Sequence, residues 1–132
     1  MTAFPDVLAL LCAQLPPAIG DVRCVTDLPE HVVAPIVQLA EIPGGGALHK
    51  PFNGPPLTEQ YDVDVVVFGD STVPDAVGRT RDLAQQVRDV INAWSSPGVT
   101  VDERRRPTRL PDFNSSLLRF GSTVRFTAAR VP

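Results

Sequence analysis

Asp62 and Asp64 come nearest, in this sequence, to a pair of catalytic carboxylates. On a strand, alternate residues lie on one face about 7 Å apart, the separation at which inverting glycosidases hold their acid and base. No aromatic platform that would stack on a sugar accompanies the pair. Alternating acids are also common on the solvent-facing side of a strand. We therefore predict a charged strand face and not a catalytic centre.

Other residue types that carry chemistry occur without the spacing that the chemistry needs. His31 and His49 lie in turn or loop segments, with no HExxH motif and no cysteine nearby. The glycines of Gly44-Gly45-Gly46 are not followed by the Gly-Lys-Ser/Thr of a phosphate-binding loop, and Ser71 has no GxSxG around it. We expect a protein that is not an enzyme and that needs no metal or cofactor.

Cys12 and Cys24 belong to no CxxC pair. We predict that both side chains are buried and pack as small apolar groups. A disulfide between them stays open at this point, because spacing alone does not establish its geometry.

The densest charge in the chain is a run of arginines: Arg104, Arg105, Arg106 and Arg109. Arginine pairs in bidentate fashion with carboxylates or phosphates. Residues 1–100 carry twelve acidic and five basic residues, whereas residues 101–132 carry seven arginines and three acids. Two opposed charge blocks suit head-to-tail contacts between identical copies. The alternative is a solvated charged surface with no partner.

Length and composition are those of a single globular domain over residues 1–132. A net charge of −3 argues against a general nucleic-acid binder. No apolar run approaches the roughly 20 residues of a membrane span, and no basic stretch precedes an apolar N-terminal segment. We expect a soluble protein that is not exported and contacts no membrane.

Hydrophobic periodicity predicts the elements that position these residues. Helical spacing of apolar residues predicts a short helix from Phe4 to Leu15, ended by Pro16-Pro17. A longer helix of about 20 residues follows Thr72-Val73-Pro74-Asp75, which resembles a capping box. Alternating patterns predict strands at these positions: 22–26, 36–42, 61–68, 99–106 and 119–128. This order favours an α+β fold, with a mainly antiparallel sheet of about four to five strands and both helices packed on one face.

Residues 43–60 show neither the helical spacing nor the strand alternation of apolar residues, and they contain four prolines and four glycines. Loops beyond about 12–15 residues are uncommon in compact domains and tend to be functional or mobile. We predict a long loop or arm used in assembly, with Gly44, Gly45, Gly46, Lys50 and Phe52 as its candidate contact residues. The alternative is a disordered hairpin tip.

Several short segments together resemble one protein family. They are Pro5–Leu11, Val25-Thr26-Asp27-Leu28-Pro29, Pro35–Leu39 with glycines after it, Arg104–Pro107 with Leu110-Pro111-Asp112, and Arg119-Phe120 with Val124-Arg125-Phe126. In this order they look like the small tail-terminator or neck proteins of long-tailed phages, especially those that infect actinobacteria. The resemblance spans most of the chain and rests on turn residues and hydrophobic patterns.

The resemblance implies a structural virion protein at the tail neck, assembled in the host cytoplasm. It implies a homohexameric ring that caps the tail tube, stops tube polymerisation and joins the tail to the head-completion proteins. DNA would pass through the ring without specific binding. A head-tail stopper or another connector is the alternative, and a small enzyme is a weaker one.

Within such a ring, we expect the arginine run to pair across the contact between copies (the seam) with Glu59, Asp62 or Asp64. In the alternative arrangement, the arginines line the passage for DNA. The seam is favoured, because DNA slides more readily past a neutral or acidic wall.

Overall fold

Two helices and six strands make up the part of the chain that a computed structural model describes, residues 3–50 and 52–130. They are α1 (Val7–Ala18), β1 (Arg23–Val25), β2 (Ile36–Glu41), β3 (Gly46–His49), β4 (Thr58–Asp70), α2 (Ala76–Ala93), β5 (Val99–Asn114) and β6 (Leu117–Ala129). The α+β class is confirmed. The sheet has six strands within these residues, where the sequence predicted four to five.

The sheet is mostly antiparallel and is built around β4 and β6. Its strand order is β1-β2-β4-β6-β5, so β1 and β5 are the two edges. Thr58 pairs with Ala129 at one end of the β4–β6 ladder, and Asp70 pairs with Leu117 at the other. β1 and β2 run parallel. The remaining pairs are antiparallel, as predicted.

The extra strand, β3, lies inside the segment predicted as a loop. β3 pairs with the start of β4, on the same side of β4 as β2. Between the pairs Glu41–Val63 and Gly46–Gln60, residues 42–45 lie opposite only residues 61 and 62 of β4. The chain therefore bulges out here before pairing resumes. Pro51 of the predicted arm lies outside the described residues.

Both helices cover one face of the sheet, as predicted. One buried cluster joins side chains of α1, α2, β4 and β6: Val7, Leu11, Leu15, Val63, Val65, Val67, Ala84, Val87, Ile91, Phe120, Val124 and Phe126. On β4 these are alternate residues, which gives the half-buried strand pattern. The opposite face, which we call the open face, is apolar at one end, where Ile36 and Phe68 are buried, and charged at the other.

The helix boundaries differ from the prediction. α1 continues through Pro16-Pro17 to Ala18, because the fixed φ of proline fits a helix and only the backbone hydrogen bonds of the last turn are lost. The predicted capping box over residues 72–75 is wrong. Asp75 is the N-cap of α2, with φ 52° and no side-chain cap bond, while Thr72 donates from its amide and its hydroxyl to Asp70 Oδ1 (2.9 and 2.6 Å).

Candidate functional site

A row of alternating charges crosses the open face. In the strand register Asp62 of β4 lies opposite Arg125 of β6, which lies opposite Asp102 of β5. Arg125 donates from Nε to Asp62 Oδ1 at 2.8 Å and from Nη2 to Oδ2 at 3.4 Å. Arg104 Nη1 lies 3.5 Å from Asp102 Oδ2. We call these four side chains the charge row.

The surroundings of Asp62 favour an ionised carboxylate, and both Asp62 and Asp64 accept hydrogen bonds within the chain. The hydrogen bond from Arg125, with the charges of Arg125 and Arg104, lowers the pKa of Asp62 against a smaller effect of burial. The Thr123 hydroxyl donates to Asp64 Oδ1 at 2.8 Å. A glycosidase acid needs a raised pKa, so the shift at Asp62 is opposite to the one that this chemistry requires.

The arginine run is divided by irregularities in β5. The register with β6 shifts between Glu103 and Arg105, and again between Arg105 and Thr108. Arg105 lies opposite Thr123, on the open face, whereas Arg109 lies opposite Phe120, on the face that the helices cover. All four arginines are exposed. A run that the sequence presents as one cluster therefore supplies two surfaces.

The second of these surfaces includes an arginine that the sequence analysis did not select. A cavity of about 270 Å³ between α2 and β5 is lined by Arg81, Gln85, Arg106, Arg109 and neighbouring side chains. We call it the arginine cavity. The Arg81 guanidinium carbon lies 6.0 Å from the centre of the Phe120 ring. The Nη2 atom of Arg109 lies 3.3 Å from Oδ1 of Asp112. Within residues 3–50 and 52–130, Arg81 and Arg106 have no ion-pair partner. The sequence does not predict that Arg81 lies near β5, because only the packing of α2 on the sheet brings the two together.

The predicted arm is a β-hairpin with an ordered base. The Leu57 amide donates to the His49 carbonyl at 2.7 Å, and the His49 amide donates to Thr58 Oγ1 at 3.0 Å. At the tip, Phe52 has 95% of its surface exposed, while Leu57 at the base has 52% exposed. Lys50 is exposed beside them. The tip thus presents apolar and cationic groups to solvent.

The bulge before the hairpin lies tightly on β4. A Cβ added to Gly45 would stand 2.6 Å from the Gln60 carbonyl oxygen and 2.7 Å from Tyr61 Cβ, whereas one added to Gly46 would meet nothing within 4 Å. Gly44 has a φ of 117°, which favours glycine. Gly44 and Gly45 therefore shape the root of the hairpin, whereas nothing at Gly46 requires a glycine.

The histidines and cysteines are not gathered into a cluster of metal ligands in the described residues. Within the described parts of the chain, no three His, Cys, Asp or Glu residues come together to hold a metal ion. Cys12 and Cys24 are free thiols with their sulfur atoms 3.6 Å apart. Burial, and then the neighbouring Cys12, raise the pKa of the Cys24 thiol far above its ordinary value. Of the two helices described, neither is long and apolar enough to cross a membrane.

The chain has been compared with protein-family models and with curated proteins. It matches no protein-family model, and it matches no curated protein at a significant level. The arguments for its function therefore come from its surfaces.

Proposed function

We propose that this chain is a structural protein of a phage neck, a tail terminator whose copies form a ring. The observation that carries the proposal is the placement of charge. Four exposed arginines lie on the edge strand β5, in a chain whose first 100 residues hold an excess of acids. Identical copies joined head to tail through unlike surfaces form rings when the rotation closes.

The hairpin supports the same role. A ring protein must bind a neighbouring copy or the tail tube. An exposed phenylalanine beside a lysine is suited to binding in an apolar pocket with an acidic rim. Phe52 lies at the end of a base fixed by backbone pairing of β3 with β4. Phe52, a candidate contact residue, is therefore held on a hairpin whose base is ordered.

The partners of the arginines remain a prediction. Glu59 is half-buried on β4, while Asp62 and Asp64 already accept hydrogen bonds within their own chain. A seam that used these two acids would have to share them with Arg125 and Thr123. In a ring of this kind DNA would pass through the centre without specific binding, and the neighbours would be the tail tube protein and a head-completion protein.

Purified protein tests the proposal directly. Light scattering and negative-stain imaging should show closed rings, with six copies expected. Added to polymerising tail-tube subunits, the protein should shorten the tubes and label their ends. Rings that leave tube growth unchanged would favour a head-tail stopper or other connector. A protein that stays monomeric at every concentration, or that turns over a substrate, would refute the proposal.

A further inference from the structure

The two edges of the sheet carry opposite charge. At the β5 edge, residues 104–109 hold four arginines and no acid. At the β1 edge, three exposed acids flank the strand, Asp21 before it and Asp27 and Glu30 after it. Arg23 is the only lysine or arginine among residues 20–35. Because the strand order is β1-β2-β4-β6-β5, β2, β4 and β6 separate these edges.

The charge row on the open face is a poor seam for a ring. It holds both signs within one patch, as Asp62, Arg125, Asp102 and Arg104 lie side by side. A patch that is complementary to itself gives a two-fold contact and closes after two copies. A ring needs two different patches on each copy, and the two sheet edges provide them.

We propose that the arginine cavity of one copy receives the acidic turn Asp27-Leu28-Pro29-Glu30 of the next copy. This inference rests on the proposed ring and names the two sides of its seam. The cavity presents Arg81 and Arg106, which lack an ion-pair partner within the described residues, and guanidinium groups pair with carboxylates in bidentate fashion. The turn offers two exposed carboxylates three residues apart, and its proline limits the entropy lost on docking.

Charge reversal on each side tests the pairing. Arg106→Glu with Arg109→Glu leaves Arg81 beside two acids and so makes the arginine cavity acidic, and Asp27→Lys with Glu30→Lys makes the β1 edge basic. Each double variant alone should associate at least about tenfold more weakly than the wild type, because like charges then meet at the seam. An equimolar mixture of the two should restore rings, in which the variants alternate and the number of copies is even.

Controls separate this contact from general charge effects. Asp89→Lys changes an exposed acid on α2 that belongs to neither edge, and it should assemble as the wild type does. Circular dichroism and thermal melting of each variant establish that it is folded. All the altered side chains are exposed, so the expected changes in melting temperature are small.

Each outcome bears on one of the two proposals. Rings from either double variant alone, or folded variants whose mixture fails to assemble, would overturn the seam assignment and leave the ring intact. A wild type that forms no ring would overturn both. If the arginine variant keeps its ring but loses salt-dependent retention of duplex DNA, the cavity binds phosphate and the seam assignment fails.

Discussion

Replacement of Gly45 by alanine should loosen the root of the hairpin. The added Cβ would stand 2.6 Å from a backbone oxygen of Gln60 and 2.7 Å from Tyr61 Cβ. Because one of these atoms belongs to the backbone of β4, rotation of a side chain cannot relieve the contact. Overpacking of this kind costs about 1–3 kcal/mol, and Gly→Ala recovers about 0.4–1 kcal/mol from the unfolded chain. We expect a net loss of about 1–2 kcal/mol.

Gly46→Ala is the matched control. It makes the same chemical change one residue later, where an added Cβ meets nothing within 4 Å, so its stability should equal or slightly exceed that of the wild type. The single tryptophan, Trp94, packs edge-on against Phe126 at 6.3 Å and reports unfolding by fluorescence. In urea or on heating, Gly45→Ala should unfold first, with a melting temperature roughly 3–8 °C lower.

Equal unfolding of the two variants would refute this reasoning, because it would mean that the bulge moves away from β4 at no cost. A second measurement links stability to assembly. If the hairpin is an assembly arm, Gly45→Ala should also weaken ring formation, whereas Gly46→Ala should leave it unchanged. Weakened rings for both variants would indicate that the bulge surface itself makes the contact.

The remaining predictions concern charge, redox state and the tip. The lowered pKa of Asp62 means that its ion pair stabilises the fold fully above the unfolded pKa of about 3.9 and progressively less as the pH falls through the lower folded value. Asp62→Asn should therefore flatten the pH dependence of the urea midpoint below about pH 4. Treatment with diamide should join Cys12 to Cys24, whose sulfur atoms lie 3.6 Å apart, and raise the melting temperature until dithiothreitol is added; a disulfide closing so short a loop contributes about 3 kcal/mol. Phe52→Ser should leave the melting temperature unchanged, since that ring is almost wholly exposed, but it should reduce ring formation or tube capping. A lower melting temperature for Phe52→Ser would show that the tip packs on its own chain.

Strong periodicity in the sequence was sufficient to predict the central elements. The alternation along β4 places Val63, Val65 and Val67 in the core, and the helical spacing along α2 does the same for Val87 and Ile91. These patterns are reliable because burial acts on every second residue of a strand and on every third or fourth of a helix. The apolar and polar halves of the open face follow from the same reasoning.

Features that depend on the backbone or on distant contacts were missed. β3 is a short strand whose four residues are all exposed, so it has no buried side of alternating residues to recognise, and pairing with β4 alone defines it. In β5 the first shift, around Arg104, reverses the face that each residue occupies, and the second, around Arg106, restores the original alternation. A simple alternation cannot anticipate either shift. Arg81 joins Arg106 only through packing of α2 on the sheet.

The composition of β5 also bears on how a neighbour would meet it. A 16-residue edge strand is a hazard, because its unpaired backbone groups can recruit a strand from another chain. Here Pro107 and Pro111 remove two amide donors, and register shifts break the straight line of the edge. Strand addition is therefore disfavoured, and the arginine side chains become the groups through which a second copy would bind. A contact made by exposed charges weakens with salt, so ring assembly should fall steeply as ionic strength rises, whereas a backbone-paired seam would be nearly insensitive to it.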